Sequence, residues 1–309
     1  MKRRKLSVFL VGLLSMALMS ACSGSRDSEG NSSSGGEAAN NQTGNIVIIA
    51  DTQCPTSLDL AQSWDSWYTS RWGITETLFK LDENLTPQPF LAESCEMQDD
   101  TFQNGNKLTA ESVQRCWERT AEINARFNEL LYIDTLNADG QVLTVKTSKA
   151  VPAFKNGICE PLTGIIDVTA KEDPATAPVG TGPFVAVSYE VKSRAEVKRN
   201  DHYWGGTPKL DGAVINIIGD TSTLALAQQN GETDVSVSIP STSLELFNDT
   251  DLYHVDGVSG SRGQVVFVNF SNKFLQSLDV RQALSMCIDK ENYAKVINKD
   301  ASVPATGLY

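Results

Sequence analysis

Two histidines, His202 and His254, are all the imidazole that this 309-residue chain has, so neither an HExxH pair nor a three-histidine metal site can be built from it. It contains no G-x-S-x-G elbow, Walker A loop or G-x-G-x-x-G turn. Carboxylate pairs able to cut a glycosidic bond are invisible at this level, but the 38 Asp and Glu residues suit a solvated surface, and an enzyme is not expected. What remains is the chemistry of holding a ligand. Trp64, Trp67 and Trp72, with Tyr68 among them, place three indoles within nine positions, which fits a ligand wall or a packed loop. Gly180 and Gly182 flank Thr181 and precede Pro183, a pattern for close backbone approach or for an ordinary turn. Asn269, near the end of VVFVNF, offers an amide to a ligand or to a turn.

These side chains need an environment. Lys2, Arg3, Arg4 and Lys5 precede 13 apolar-rich residues, 6–18, too short to span a bilayer and right for a signal-peptide core, so the chain is expected to be exported. Leu18-Met19-Ser20-Ala21-Cys22 resembles the bacterial lipoprotein box, in which Cys22 becomes N-terminal and carries acyl chains, each buried CH₂ adding roughly 0.8 kcal/mol of membrane affinity. The expected organisation is a signal peptide over 1–21 and a lipidated cysteine with a flexible tether over 22–45. Between 23 and 45 only Ala38 and Ala39 are apolar, too little to offset the entropy of ordering.

The formal net charge is -12, and the first 21 residues hold four of the 26 Lys and Arg and none of the Asp and Glu, so the remainder carries -16. Such a surface repels phosphate backbones, and no nucleic-acid partner is expected. Beyond Cys22 stand Cys54, Cys95, Cys116, Cys159 and Cys287, an odd number with no C-x-x-C spacing. That indicates neither a disulfide framework nor a zinc knuckle, and most are expected to be small buried hydrophobes.

The run 45–50 reads as a buried strand, and 75–81 as a short amphipathic piece ended by Asp82-Glu83-Asn84, Pro87 and Pro89. Thr109 is a good N-cap. Val113, Cys116, Trp117, Thr120, Ile123, Phe127, Leu130 and Leu131 predict one buried helical face over about twenty residues. After the turn Asp139-Gly140, 141–147 alternates as a half-exposed antiparallel strand. Strands are predicted at 184–190, 195–199, 212–218, 234–239 and 264–270, with a helix at 221–229 ending on Asn230-Gly231. Asp279 and Asp289 are read as caps of two further helices, the second running to about 299. Helices among β-branched runs imply an α/β layer, with an α+β subdomain between about 76 and 175.

Six segments then carry a resemblance: TETLFKLDENLTPQPFLAESCEM at 75–97, KLTAESVQRCWER at 107–119, VGTGPFVAVSYE at 179–190, NDHYWGGTPKLDGAVINII at 200–218, LALAQQNGETDV at 224–235 and DVRQALSMCIDKENYAKVI at 279–297. In this order they resemble the family 5 extracytoplasmic solute-binding lipoproteins of bacterial ABC importers for peptides, oligopeptides and nickel. The resemblance implies an α/β, type II periplasmic-binding-protein-like fold whose two lobes close on a ligand. It implies a first lobe over 46–285 with the inserted subdomain at about 76–175, and only the start of a truncated second lobe over 286–309.

The same resemblance implies capture of a peptide ligand for an ABC permease and ATPase complex, by a monomer held at the outer face of the cell membrane through Cys22, with no cofactor and no metal. It places Glu76 near the cleft, where the bland reading is a solvated carboxylate, and Gly180 and Gly182 near the hinge. Trp204 of the YWGG turn is expected to pack. The candidate ligand contacts are thus Glu76, Trp67, Gly180, Gly182 and Asn269. Two departures stand out: the stretch 99–105 is shorter than in relatives, and Cys95 replaces a usual Trp. With one wall the chain is expected to bind ligand weakly or not at all. The alternatives are a non-transport surface lipoprotein or interaction module, and, less favoured, nickel or another small solute.

Overall fold

In this computed structural model, the described residues are 44–93, 96–97, 102–257, 263, 265–298 and 302–304. The expected signal segment, Cys22, the tether up to 43, and Cys95 lie outside them. The elements run as follows: β1 Ile46–Asp51, α1 Ser66–Arg71, β2 Phe79–Leu81, β3 Pro87–Pro89, β4 Ala92–Glu93, β5 Glu96–Met97, α2 Ala110–Ile123, α3 Ala125–Leu131, β6 Ile133–Asp139, β7 Val142–Thr147, α4 Phe154–Gly157, β8 Phe184–Glu190, β9 Arg194–Arg199, β10 Gly212–Ile217, α5 Thr221–Gln229, β11 Val235–Ser236, α6 Leu278–Met286 and α7 Lys290–Asn292.

One sheet has the order β11-β1-β10-β9-β8. β1 is parallel to β10 on one side and to β11 on the other, while β9 is antiparallel to both β10 and β8. The alternation of β9 and β10 sends Ala195, Val197, Ala213 and Ile215 into a core shared with Leu58, Trp72 and Ile74. A second, larger core gathers around α2 and α3, with Val113, Trp117, Phe127 and Leu131 against Leu108 and Leu162. Burying a side chain of this size stabilises by about 1.5–3 kcal/mol. Trp117 also satisfies its one polar atom, donating from Nε1 to Thr163 O at 3.0 Å and meeting Phe127 edge-on at 5.9 Å.

Thr109 caps α2 as predicted, in a capping box where Ser112 does the work of the usual acidic residue: Thr109 Oγ1 accepts from Ser112 N, and Ser112 Oγ from Thr109 N. The predicted twenty-residue helix is nevertheless two helices. Asn124 leaves the helical region at φ -123°, accepts from Arg126 N, and donates to Ala61 O and Ser63 O, so its amide competes with the helix backbone and starts a new helix. Phe127 and Leu131 stay buried, whereas Ile123, at the break, is exposed.

Other expectations also change. The 75–81 stretch is extended, its last three residues forming β2, because Thr77, Leu78 and Phe79 are all buried and leave no solvent face for an amphipathic helix. β1 is only half-buried until Ala50 and Asp51. The 234–239 run pairs for two residues before Pro240. Residues 265–270 form no strand: Val266 and Phe267 are 78% and 91% exposed, and a β-branched run without a pairing edge does not stay extended on propensity alone. Ser277 takes the N-cap position of α6, with Asp279 in its first turn, where it complements the dipole instead. Asp289 does cap α7, which continues as a wider turn over Tyr293–Ile297. Of the cysteines, Cys116 is buried, Cys54 and Cys159 are half-buried and Cys287 is exposed, so burial is not their common state. No helix of the described residues is long and apolar enough to cross a membrane.

Candidate functional site

The chain leaves the sheet core for the helical core through 74–78 and returns through 179–184. Ile74 packs in the first and Leu78 in the second, and Val179 and Phe184 mark the way back. The two passages lie backbone to backbone: Gly182 N donates to Ile74 O at 3.1 Å and Phe184 N to Gly73 O at 2.9 Å. A Cβ on Gly180 would sit 2.0 Å from Ile74 O, and one on Gly182 2.2 Å from Gly73 O. Glycine is needed here for proximity, the first of the two sequence readings.

Gln103 clasps this joint. Its Nε2 lies within hydrogen-bond distance of the carbonyls of Ile74, Gly182 and Phe184, and its Oε1 accepts from Gly180 N. The loop carrying it is fixed by buried Asp167, which accepts from Asn104 Nδ2 at 2.8 Å, Asn106 Nδ2 at 2.7 Å and Thr169 N at 2.9 Å. Burial alone would raise the Asp167 carboxyl. The hydrogen bonds from Thr169, Asn104 and Asn106 outweigh it and hold the group below the usual carboxylate range.

Glu76 lies inside the joint, 6% exposed, so the bland reading of a solvated carboxylate is wrong. Its Oε2 accepts from Thr181 Oγ1 and Trp204 Nε1, both at 2.9 Å, and its Oε1 from Tyr203 OH at 2.6 Å. Three donors converging on one carboxylate offset its desolvation. Trp204 packs as expected, against Phe90 at 5.5 Å and Tyr203 at 5.4 Å, but it is also a hydrogen-bond donor. Tyr203, Thr181 and Gln103 were not foreseen as partners; the YWGG run and the Thr between the two glycines were the available signals.

The three indoles separate. Trp72 is buried between Tyr68 and Tyr189, with ring centroids 6.0 and 6.1 Å away. Trp64 is 58% exposed under the Arg126 guanidinium, 3.9 Å from its ring centroid. Trp67, on α1, is 44% exposed. The carboxyl end of β1, which α1 reaches through Tyr68 and Arg71, is stiffened: Asp51 Oδ1 accepts from Gln53 N, Tyr189 OH donates to Pro55 O, and buried Asp65 accepts from Thr56 N and Ser57 N.

The structure thus brings Glu76, Gly180 and Gly182 together and leaves Trp67 and Asn269 outside that group. Asn269 is exposed, and its Oδ1 accepts from Ser271 N at 2.9 Å, closing a local turn. Cys22 lies outside the described residues. His202 and His254 are both exposed, and among the described residues no group of three His, Cys, Asp or Glu side chains is arranged to hold a metal ion.

Residues 87–309 match the family model described as bacterial extracellular solute-binding proteins, family 5, middle part. The chain belongs to this family. Among its family 5 relatives, the nickel-binding protein NikA of Staphylococcus aureus is 29% identical over 248 residues, covering 77% of this chain and 50% of NikA. The glutathione-binding protein GsiB of Shigella flexneri is 27% identical over 252 residues, covering 75% and 49%. The chain therefore spans about half the length of the curated relatives it matches. The structure of S. aureus NikA in complex with Ni(L-His)₂ superposes with a TM-score of 0.80 at 27% identity, over 86% of this chain and 58% of that one. The nickel ABC transporter structure from Bacillus halodurans gives 0.73 at 30% identity over the same shares. The fold is accordingly the α/β, type II periplasmic-binding-protein fold expected for the family.

Proposed function

We propose that this chain is the solute-capturing component of an ABC importer on the outer side of a bacterial membrane, taking peptide-type cargo. The observation that carries this is the family match over 87–309. The relatives add a common chemistry: glutathione is a tripeptide, and the nickel in the S. aureus complex arrives wrapped in two histidine molecules. Both present an α-carboxylate and an amino group, which a receptor reads with polar and charged groups.

In this proposal 46–285 forms a first lobe with 76–175 inserted, and 286–309 begins a second. Cys22 anchors a monomer by its acyl chains, and cargo passes to a permease driven by an ATPase. Trp67 lines the wall of the cleft, Glu76, Gly180 and Gly182 shape that wall from behind, and Asn269 offers its amide to the ligand. The described residues supply one wall of that cleft. A second reading, favoured by the two nickel-protein neighbours, is nickel carried as an amino-acid chelate, the metal arriving with its own ligands.

Equilibrium dialysis of the full chain tests both readings. Saturable retention of trialanine or glutathione but not maltose is expected, with nickel retained only together with L-histidine if the second reading holds. Equal retention of maltose, or none of the amino-acid probes held at millimolar concentration, would overturn the assignment.

A further inference from the structure

In an open α/β sheet the ligand crevice forms beyond the carboxyl ends of the parallel strands, where successive connections leave in opposite directions. β1 meets that condition. Parallel strands flank it on both sides, and the chain leaves β10, passes through α5 and returns as β11 on the far side of β1. The last residue of β1 is Asp51, 2% exposed, and it grips Arg71 Nη1 with Oδ2 at 3.2 Å.

We propose that Arg71 is the anchor for the α-carboxylate of the captured solute. This rests on the peptide-type reading above and names the group that would recognise it. Arg71 ends α1 with 48% of its side chain exposed, its guanidinium 5.7 Å from the Tyr68 ring centroid. A guanidinium has five N–H donors in a fixed fork, and among the described residues only Nη1 has a hydrogen-bond partner. Arg119, by contrast, gives two N–H groups to Asp59, and Arg199 is shared by Asp201 and Asp211. Arg71 is held on one side by a buried carboxylate and open on the other, which leaves a fork suited to a planar carboxylate.

Trp67 precedes Arg71 by four residues, hence on the same face of α1, and adds an exposed apolar surface beside the charge. Gln53, whose Oε1 lies 3.4 Å from Tyr68 OH, borders the same mouth. The site so assembled fits a small solute with one carboxylate and a short apolar side chain.

The test is an NMR titration of the isotope-labelled full chain with trialanine and, separately, trialanine amide. The expected result is that trialanine shifts the amide resonances of Gln53, Tyr68 and Arg71, while the amide binds at least about tenfold more weakly, the loss expected for one charge-assisted pair. R71Q should abolish this discrimination, and R71K should keep only part of it, since an ammonium lacks the fork. A structural role for Arg71 would change stability without separating acid from amide. Equal binding of acid and amide at this mouth would overturn the anchor and leave the peptide reading standing. No perturbation by either would overturn both.

Discussion

The indole Nε1 of Trp204 donates to the carboxylate of Glu76 across 2.9 Å, joining residues 128 positions apart in the chain. With Tyr203 and Thr181 donating to the same group, the return of the chain from the helical core is tied to its departure. Glu76→Ala would take this acceptor from buried Thr181 and from half-buried Tyr203 and Trp204. We expect a loss of about 2–4 kcal/mol in urea unfolding, and less for Glu76→Gln, which keeps one acceptor oxygen.

The glycine pair supports a sharper contrast. Gly180→Ala and Gly182→Ala each drive a methyl group into a backbone carbonyl that has no rotamer to escape through. Each should cost about 3 kcal/mol, the upper end of overpacking effects. Gly219→Ala, with nothing within 4 Å of the added carbon, should stay within about 0.5 kcal/mol. Denaturant midpoints for the three variants check this.

These contacts show what the sequence makes legible. β8, β9, β10 and α5 lie where alternation and the Asn230-Gly231 stop put them, because each is decided by neighbours in the chain. The cap at Thr109 was legible for the same reason. Asn124 was not: its break in the helix depends on the carbonyls of Ala61 and Ser63, some sixty residues away. Glu76 could be singled out only by resemblance, and its burial depends on partners more than a hundred residues distant, which no local pattern encodes. The VVFVNF run misled because strand propensity is a preference for a pleated, half-buried surface, and residues 265–270 have none.

Asp167 makes the joint sensitive to acid. Its carboxyl lies below the usual range in the folded chain, so its contribution is fully present above the unfolded value of about 4 and is lost as the pH falls below it towards the folded value. Unfolding free energy measured against pH should fall in this window, and Asp167→Asn should flatten that part of the profile.

Thiol reactivity should follow exposure. Burial pushes the Cys116 thiol up to about 11, and its Sγ is enclosed beside Gly164 O and Ile166 N. Cys287 is exposed. With iodoacetamide at neutral pH, peptide mapping should find Cys287 modified early and Cys116 only after denaturant is added.

The apolar side chains between 265 and 303 give a further prediction. Phe267, Met286 and Val303 are 91%, 84% and 87% exposed, and α6 buries none of its residues. The full chain should bind a hydrophobic dye. Phe267→Ser with Met286→Lys should reduce dye fluorescence while leaving the unfolding midpoint unchanged, since neither residue belongs to a core.

In the function proposed above, the carboxyl end of β1 forms one wall of a solute-capture site. The chain has five tryptophans, and their environments range from Trp117 at 1% exposed to Trp64 at 58%, with Trp67 at 44%. Fluorine NMR of 5-fluorotryptophan-labelled chain, titrated with glutathione, therefore tests the claim most directly. The Trp67 resonance should move and saturate while Trp117 stays fixed. A titration in which Trp67 stays fixed, or in which all five resonances drift together without saturating, would contradict it.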